Sequence, residues 1–353
     1  MSPLRFLLLP LAALYNALTG LRNHMYNIGS RKSFRFEPTV ICVGNLSAGG
    51  SGKTPMVEYL AAWLGNRYDT AILSRGYGRN TRGFRHAGPD DDARSIGDEP
   101  FQMYRKYGNR VLVAVGEDRA LAIPEILFRR SETQIILLDD AFQHRRVHPD
   151  ISILLTPWQR PFYSDYLLPA GMLRESRRNA ARAGIVVVTK CPAGIKEEDM
   201  DLARSRIAAY TGESAKVFFA GLQYLAPRPL FHKEHFTNRK EAFLFTGIAQ
   251  PGPLLNYLEQ HYRLCGIRRF PDHMPYSLSG LVRSVLKPYK NHCGSAAALI
   301  TTEKDAVRIL RLPGAEEMFS GIPFYYVPVK MVFLTDEALF KDIILGKIRA
   351  AAS

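Results

Sequence analysis

A chain of 353 residues is long for one domain and sufficient for two. Its apolar content of 46% is that of a globular protein with buried cores, which excludes a disordered chain. It carries 47 lysines and arginines against 33 aspartates and glutamates, a formal net charge of +14. Such an excess favours a polyanionic partner, such as nucleic acid, an anionic membrane or a phosphorylated substrate, although a basic enzyme without one would have the same composition.

The first 36 residues are predicted to form an arm that lies on a membrane surface. Residues 4–21 are strongly apolar, but Arg5 and Pro10 interrupt them, and a spanning helix needs about 20 predominantly apolar residues. No acidic residue precedes Glu37, and four basic residues follow the apolar run: Arg22, Arg31, Lys32 and Arg35. This pairing is typical of an interfacial helix with its cations at the lipid headgroups. A helix docked on the protein's own core and a true membrane span are the alternatives.

The four cysteines show no pattern of a metal site. Cys42, Cys191, Cys265 and Cys293 include no C-x-x-C pair, and their spacing fits no zinc site. We therefore expect reduced, mostly buried thiols.

From residue 39 onward, short apolar runs alternate with helical stretches. The runs are VICVGN, TAILSR, VLVAVG, IILLDD, ISILLT, IVVVTK and KVFFAG. Strands that are buried on both faces are near-continuously apolar in this way, so we expect a mostly parallel sheet with helices on both faces. The composition shifts at LAPRPLFH, and the alternation then resumes. The predicted ranges are a core domain over 37–224, a linker over 225–235 and a smaller α/β domain over 236–353.

The segment SAGGSGKT contains a Walker A phosphate-binding loop. It follows the run VICVGN and opens a helical stretch, which is the context this motif requires. Its glycines let backbone N–H groups surround phosphates at a helix N-terminus. Lys53 would reach the β and γ phosphates and Thr54 would ligate Mg²⁺. The predicted nucleotide-binding residues are Ser47, Ala48, Gly49, Gly50, Ser51, Gly52, Lys53 and Thr54. The expected fold is thus α/β of the P-loop NTPase type, with a second, smaller α/β domain.

Two classes of P-loop protein are disfavoured. Dimeric partition-type and metal-chaperone ATPases have a signature lysine where this chain has Ala48. The segments VTKCP and TEKD do not form the N/T-K-x-D element that reads guanine, so a GTPase is not expected.

The apolar run IILLDD ends in paired carboxylates, which is a Walker B pattern. Asp139 would hold Mg²⁺ opposite Thr54, and Asp140 could orient a substrate or water. The motif is weak alone, because many buried strands end in aspartate, but it gains force beside a Walker A loop.

Three further segments offer groups for an acceptor. GDEP presents Asp98 and Glu99 at the start of a helix, where they could equally serve as an N-cap and a first-turn acid. LPAGMLRE places Arg174 and Glu175 on a loop, where they could neutralise phosphate charge or form a structural ion pair. FPDH places His273 after a strand of the smaller domain, and a lone histidine is more often structural.

Together, these motifs resemble the tetraacyldisaccharide 4′-kinase family of lipid A biosynthesis. The resemblance covers nearly the whole chain through VGNLSAGGSGKTP, LSRGYGR, GDEP, LLDDAFQHRR, LPAGMLRE, FTGIAQP, FPDH and TTEKDAVR. One departure is Met172, where the family often has proline.

The resemblance implies ATP and Mg²⁺ as cofactors and an acylated glucosamine disaccharide 1-phosphate, the lipid A precursor, as acceptor. It implies that Asp98 is the general base and that His273 is its partner from the other lobe. Catalytic roles are further implied for Lys53, Asp140 and Arg174, and metal contacts for Thr54, Asp139, Glu99 and Glu175.

The implied location is the cytoplasmic face of the bacterial inner membrane, held there by the N-terminal segment, with an anionic membrane surface and no nucleic acid as partner. Two other functions fit the P-loop: a cytosolic small-molecule kinase or ligase, and a membrane-tethered nucleotide switch that transfers no phosphate.

Overall fold

The computed structural model describes residues 3–231, 240–272, 274–294 and 297–352. In these ranges, nine strands form a larger sheet in the order β14-β8-β7-β6-β1-β5-β2-β4-β3. Only β3 and β14 run antiparallel to their neighbours there. The strands are β1 (Thr39–Asn45), β2 (Thr70–Ser74), β3 (Arg85–His86), β4 (Leu112–Val115), β5 (Ile135–Asp139), β6 (Ile151–Pro157), β7 (Ile185–Thr189), β8 (Lys216–Tyr224) and β14 (Val329–Phe333).

Helices cover both faces of this larger sheet, as the near-continuous apolar runs predicted. Alternate residues of β1 face opposite sides: Ile41 and Val43 join one apolar cluster, and Val40 and Cys42 join another. The α-helices of both lobes, in chain order within the described ranges, are α1 (Pro3–Asn27), α2 (Lys53–Leu64), α3 (Ala93–Ile96), α4 (Asp98–Tyr107), α5 (Arg119–Arg129), α6 (Glu197–Thr211), α7 (Gly252–His261), α8 (Leu278–Leu281), α9 (Lys287–His292), α10 (Glu303–Leu310), α11 (Ala315–Met318) and α12 (Glu337–Ala352).

In the larger lobe, α2 and α12 pack on one face, while α5 and α6 pack on the other. Short 3₁₀ turns lie at Phe162–Ser164 and Arg177–Arg182, and a π turn at Val282–Leu286 joins α8 to α9. The predicted fold class is therefore confirmed for this lobe.

A second sheet forms the smaller lobe. Its order is β11-β10-β12-β13-β9, and only β9 runs antiparallel to its neighbour. The strands are β9 (Arg228–Pro229), β10 (Glu241–Thr246), β11 (Arg263–Arg269), β12 (Ala298–Thr302) and β13 (Phe324–Val327). Part of the predicted linker 225–235 is thus a strand, and residues 232–235 lie outside the described ranges.

The C-terminal end of the chain differs from the expected range 236–353. Strand β14 pairs with β8, and Phe340 and Ile344 of α12 join the apolar cluster beneath α2. Residues 329–352 therefore belong to the larger lobe. Alternation of strands and helices identifies elements but does not show which sheet a strand extends, so the sequence could not reveal this return.

A two-stranded ribbon connects the lobes. Tyr224 pairs with Val329, the Leu225 N–H donates to the Pro328 carbonyl at 2.9 Å, and Arg228 pairs with Tyr326. Antiparallel pairing thus continues from the larger sheet into the smaller one, and the chain crosses between the lobes at two adjacent points.

Helix α1 extends from the larger lobe with most of its apolar side chains in solvent. Six of its leucines are 36–74% exposed: Leu7, Leu9, Leu11, Leu14, Leu18 and Leu21. No helix in the described part of the chain combines the length and the hydropathy needed to cross a bilayer.

The expectation of reduced thiols is wrong for two cysteines. Cys265 on β11 and Cys293 after α9 form a disulfide with a Cα–Cα distance of 5.5 Å, whereas Cys42 and Cys191 are free and buried. The disulfide partners are 28 residues apart, and only the packing of α9 against β11 brings them together.

Candidate active site

Residues 47–54, which we call the phosphate cradle, leave the carboxyl end of β1 and enter α2 at Lys53. Gly49 and Gly52 have φ angles of 103° and 83°, which side chains other than glycine rarely adopt. The cradle is fixed on its outer side, because the Ala48 N–H donates to the Met172 carbonyl at 2.7 Å and the Asn45 side chain bonds the Ser47 carbonyl at 2.6 Å. Thr54 lies half-buried in the first turn of α2.

Lys53 lies among groups that hold it loosely. Its Nζ is 3.6 Å from Asp140 Oδ1 and 3.4 Å from Asn45 Oδ1. Arg174 Nη1 donates to both carboxylate oxygens of Asp140 at 3.1 Å. These two cations hold the pKa of Asp140 below its ordinary value against the opposing effect of burial. Asp140 has a φ of 47°, a conformation that a non-glycine residue keeps only when its surroundings fix it, and such positions concentrate at functional sites.

Asp139 presents an oxygen that fits a cation. Ser74 Oγ donates to its Oδ2 at 3.0 Å, while Oδ1 is buried and has no hydrogen-bond partner among the described residues. Burial, with a smaller effect from the Asp140 charge, raises the pKa of Asp139 to about 6. A buried, unpartnered carboxylate oxygen beside a phosphate cradle is suited to Mg²⁺ or to one of its waters.

Within the described ranges, no cluster of three or more histidine, cysteine, aspartate or glutamate side chains could hold a metal by itself. Mg²⁺ commonly binds one or two carboxylates together with phosphate oxygens, so a site completed by a nucleotide agrees with this geometry. The carboxylate of Asp139 and the hydroxyl of Thr54 are the groups that fit.

Asp98 is the first residue of α4, and it contacts the smaller lobe. Its Oδ2 accepts a hydrogen bond from Arg308 Nε at 2.8 Å, and its Oδ1 is 3.6 Å from Arg311 Nη1. The Arg308 side chain is 2% exposed and also bonds Asp305 at 3.3 Å. Sequence reasoning missed Arg308, although it lies within the motif TTEKDAVR. His273 is outside the described residues.

Further charged pairs join α4 to α10, and we call this contact the interlobe interface. Glu99 lies 3.3 Å from Lys304, and its charge also contributes to the raised pKa of Asp139. Lys106 donates to Glu58 and to Glu303 at 2.7 Å each. Burial and the charge of Glu58 raise the pKa of Glu303 to about 7.

Glu175 is 2% exposed and fully engaged with neighbouring side chains. It accepts from Asn23 of α1 at 2.9 Å, from Gln143 at 2.9 Å and from Arg182 at 2.7 Å. These partners indicate a structural role in holding α1. The geometry gives no support to the prediction that Glu175 is a metal ligand.

Helix α1 is bonded directly to the loop that carries Arg174. The Tyr15 hydroxyl donates to the Arg174 carbonyl at 2.8 Å, and Arg22 donates to the Gln143 carbonyl at 2.8 Å. The apolar helix and the phosphate cradle are therefore neighbours in space, which the sequence did not indicate.

A cationic cluster lies between α1 and β5, formed by Arg22, Arg75, Arg119 and Arg145. Arg119 is buried and donates to the Asp139 carbonyl at 3.2 Å. Burial and the charges of Arg119, Arg22 and Arg75 lower the pKa of His144 to about 4. The neutral imidazole of His144 accepts a hydrogen bond at Nε2 from the backbone N–H of Arg119 at 3.2 Å. Of these four arginines, the sequence singled out only Arg22, which was expected at the lipid headgroups, because the members of the cluster lie far apart in the chain.

Comparisons with known proteins agree with this geometry. The model of the family LpxK, tetraacyldisaccharide-1-P 4′-kinase, matches residues 4–349. The tetraacyldisaccharide 4′-kinase of Cytophaga hutchinsonii is 38% identical over 98% of this chain and 96% of its own length. That of Flavobacterium johnsoniae is 39% identical over 99% of this chain and 98% of its own.

A solved structure matches as well. The crystal structure of "apo" form LpxK from Aquifex aeolicus in complex with ATP has a TM-score of 0.74 and 27% identity, and it covers 98% of this chain and 99% of its own. The family suggested by the sequence motifs is confirmed by a match that extends over nearly every residue, and the chain belongs to the tetraacyldisaccharide-1-P 4′-kinase family.

Proposed function

We propose that this protein transfers the γ-phosphate of ATP to the 4′-hydroxyl of tetraacyldisaccharide 1-phosphate, forming lipid IVA, at a membrane surface. Family membership confirms the predicted enzyme class, an ATP-dependent phosphotransferase with an alcohol acceptor. The substrate follows from the activity for which the relatives are named.

One chain of contacts supports the proposal most strongly. Tyr15 of the apolar helix bonds Arg174, Arg174 bonds Asp140, and Asp140 lies 3.6 Å from Lys53 of the cradle. An apolar surface is thereby fixed beside a phosphate-binding loop. A kinase for a soluble small molecule has no need of this arrangement, whereas a lipid kinase must bring its cradle to the bilayer.

The cations of the site suit phosphoryl transfer. The transferred group carries charge on its equatorial oxygens, and catalysis depends mainly on positioning and electrostatic stabilisation. In our proposal Lys53 releases Asp140 and binds the terminal phosphates, while Arg174 stays on the acceptor side. Asp98, held by Arg308 and Arg311, orients and deprotonates the acceptor hydroxyl, with His273 as its partner. The cationic cluster suits the 1-phosphate of the acceptor.

Mg²⁺ would be held by Thr54 and the free oxygen of Asp139. When bound, it would neutralise charge on the β- and γ-phosphate oxygens. Glu99 lies near Asp139 and pairs with Lys304, so its proposed contact with the metal requires that pair to separate.

The membrane partner is proposed from α1. Its exposed leucines offer an apolar surface, and the basic residues Arg31, Lys32 and Arg35 follow it. Each cation near an anionic surface contributes about 1 kcal/mol to binding. We infer a peripheral position at the cytoplasmic face of the inner membrane, where ATP is available.

Transfer of labelled phosphate tests the proposal. The full chain is incubated with γ-labelled ATP, Mg²⁺ and tetraacyldisaccharide 1-phosphate in detergent micelles, and the mass of the product is measured. We expect a labelled bisphosphorylated lipid. Hydrolysis of ATP without labelled lipid, under conditions in which a relative is active, would rule out this acceptor.

Removal of residues 1–14, which takes away four exposed leucines and keeps the contacts of Tyr15, Arg22 and Asn23, separates a lipid kinase from a kinase for soluble acceptors. We expect the truncated protein to bind ATP as before and to lose most lipid phosphorylation. Retention of full activity on micellar lipid would contradict the role of α1.

A further inference from the structure

Asp305, in the first turn of α10, is a fully buried carboxylate to which the proposed mechanism gives no role. Its Oδ2 accepts hydrogen bonds from Thr302 Oγ1 at 2.7 Å, from the Gly247 N–H at 2.9 Å and from Thr246 Oγ1 at 3.0 Å. A buried charge is costly to desolvate, and apolar side chains of similar volume often stabilise a fold as well or better. Stability alone therefore explains this carboxylate poorly.

The donors to Asp305 lie at the carboxyl ends of two paired parallel strands. β10 ends at Thr246 and β12 ends at Thr302. The Asp305 N–H donates in turn to Thr302 Oγ1 at 3.1 Å, so that threonine caps α10. In open α/β sheets, functional groups gather at the carboxyl ends of the strands. The carboxylate of Asp305 is thus fixed where the smaller lobe is expected to carry such groups.

The second carboxylate oxygen, Oδ1, faces Tyr276 and Arg308. The Tyr276 hydroxyl donates to it at 3.0 Å, and Arg308 Nη1 donates at 3.3 Å. Arg308 Nε donates in turn to Asp98 Oδ2 at 2.8 Å. Because a guanidinium group is planar and its donors have fixed directions, the bond to Asp305 sets the direction of the bond to Asp98. One rigid cation therefore joins the buried carboxylate of the smaller lobe to the carboxylate of the larger lobe.

Arg308 is held firmly in this bridging position. Its side chain is 2% exposed. Burial lowers the pKa of Arg308, but the hydrogen bond and charge of Asp98 and the charge of Asp305 outweigh that effect and raise the pKa above its ordinary value. A long side chain gives up its rotamer freedom only where its contacts repay that loss. The orientation of Arg308 is accordingly determined by the two carboxylates.

The bond from Tyr276 fixes a neighbouring segment around the same carboxylate. The ring of Phe270 packs edge-on against that of Tyr276, with centroids 5.4 Å apart. A Cβ atom on Gly247 would lie 2.9 Å from the Tyr276 hydroxyl, so a larger side chain there would displace Tyr276 from Asp305. The two ends of the segment 270–276 are therefore packed together beside Asp305.

We propose that Asp305 is a positioning residue for phosphoryl transfer, which through Arg308 aims the Asp98 carboxylate at the acceptor hydroxyl and through Tyr276 holds the segment that contains His273. The assignment rests on the proposed function, because it requires that Asp98 acts on the acceptor. A carboxylate on the first turn of α4 has several rotamers when it is free. The guanidinium of the other lobe selects one of them, and it does so only while the lobes are in contact.

A double-mutant cycle on kcat tests this coupling. The variants are Asp305→Asn, Arg308→Gln and the two together, each as the full chain with ATP, Mg²⁺ and tetraacyldisaccharide 1-phosphate in micelles. Alone, Asp305→Asn should lower kcat about tenfold, the effect of losing one hydrogen bond between charged groups. In the Arg308→Gln background it should have little further effect, because residues that act through one another are not additive. Kd for ATP should stay unchanged in all three.

Tyr276→Phe is a milder second variant, and Thr301→Val is its matched control. Tyr276→Phe removes one donor to Asp305 and keeps the aromatic ring, so kcat should fall about threefold. Thr301 is buried in the same sheet, and its hydroxyl donates to the Phe245 carbonyl at 2.9 Å. Both variants should lower the midpoint of thermal unfolding, but only Tyr276→Phe should lower kcat.

Independent, multiplying losses of kcat from Asp305→Asn and Arg308→Gln would make Asp305 a structural residue and overturn the assignment. Equal values of kcat for Tyr276→Phe and Thr301→Val would overturn it as well, and that comparison decides alone if Asp305→Asn does not fold. A wild-type chain that forms no labelled lipid would instead refute the proposed function, and with it the base that Asp305 serves. The two failures are thereby distinguished.

Discussion

The phosphate cradle and the interlobe interface are both charged, but their groups are satisfied to very different degrees. At the cradle, Lys53 reaches its partners at 3.4 and 3.6 Å, and Asp139 has a buried oxygen without a described partner. At the interlobe interface, Arg308 meets Asp98 at 2.8 Å and Lys106 meets two carboxylates at 2.7 Å each. Loose contacts in a rigid frame indicate groups that await a ligand, whereas tight reciprocal pairs indicate groups that hold structure.

Asp98 belongs to both regions and is therefore the most informative residue. Its proposed chemistry places it with the cradle, but its contacts place it with the interlobe interface. Substitutions in the two regions should accordingly divide, with activity lost at the cradle and stability lost at the interlobe interface.

Lys53→Ala should reduce kcat for lipid phosphorylation about 10³-fold, because a cation aimed at the transferred phosphate is lost. Its midpoint of thermal unfolding should stay within about 2 °C of the wild type, since Lys53 has only long contacts in the free protein. Both quantities are measured on one preparation. A large fall in the unfolding midpoint would show that the cradle lysine is structural and would remove the contrast with the interlobe interface.

Asp98→Asn should lower kcat about 10²-fold while Kd for ATP stays unchanged, because a general base contributes to the chemical step and not to nucleotide binding. Arg308→Gln is the matched variant, since it breaks the same ion pair and keeps the carboxylate. A base role requires Asp98→Asn to lose far more activity than Arg308→Gln. Equal losses in the two variants would make Asp98 a structural partner only.

Asn23→Ala should lower the free energy of unfolding by about 2 kcal/mol, because the buried Glu175 carboxylate loses one of its donors. The measurement is denaturant unfolding in detergent. Asn16→Ala, on an exposed part of the same helix, is the control and should have little effect. If the two variants have the same free energy of unfolding, the docking of α1 does not depend on its hydrogen bond to Glu175.

The smallest expected effect is a change in how the free energy of unfolding depends on pH, through the titration of Glu303. Its pKa is raised from 4.5 to about 7 by burial and by Glu58, while Lys106 and Arg228 oppose the shift and Gln102 faces the same carboxylate. Between these pH values the folded protein holds a proton that the unfolded chain releases. This group therefore makes the free energy of unfolding fall as pH rises from about 4.5 to 7.

Glu303→Gln should remove that dependence. Between pH 5.5 and 8, we expect the unfolding midpoint of the wild type to fall about 2 °C more than that of the variant. Parallel pH profiles of the two proteins would show that Glu303 does not titrate in this range.

The cradle was predictable from sequence, whereas the interlobe interface was not, for a physical reason. Lys53 and Thr54 follow a strand within one continuous segment, and Asp139 ends a strand that pairs with it, so local pattern and sheet geometry suffice. Arg308 is 210 residues from Asp98, and Glu303 is 197 from Lys106, so only packing of the lobes brings them together. The bonds of α1 to Arg174 and Glu175 and the return of β14 were hidden for the same reason.

The ribbon between the lobes limits how the cleft can close. Two hydrogen-bonded strands cross side by side, with Tyr224 opposite Val329 and Arg228 opposite Tyr326. Such a ribbon bends readily perpendicular to its plane, but sliding one strand along the other would break its hydrogen bonds. The smaller lobe can therefore tilt toward the cradle about a single axis and cannot swivel around it. Gln250, which accepts a hydrogen bond from Lys190 beside the cradle, and Arg308, which bonds Asp98, would then separate from the larger lobe and return to it together.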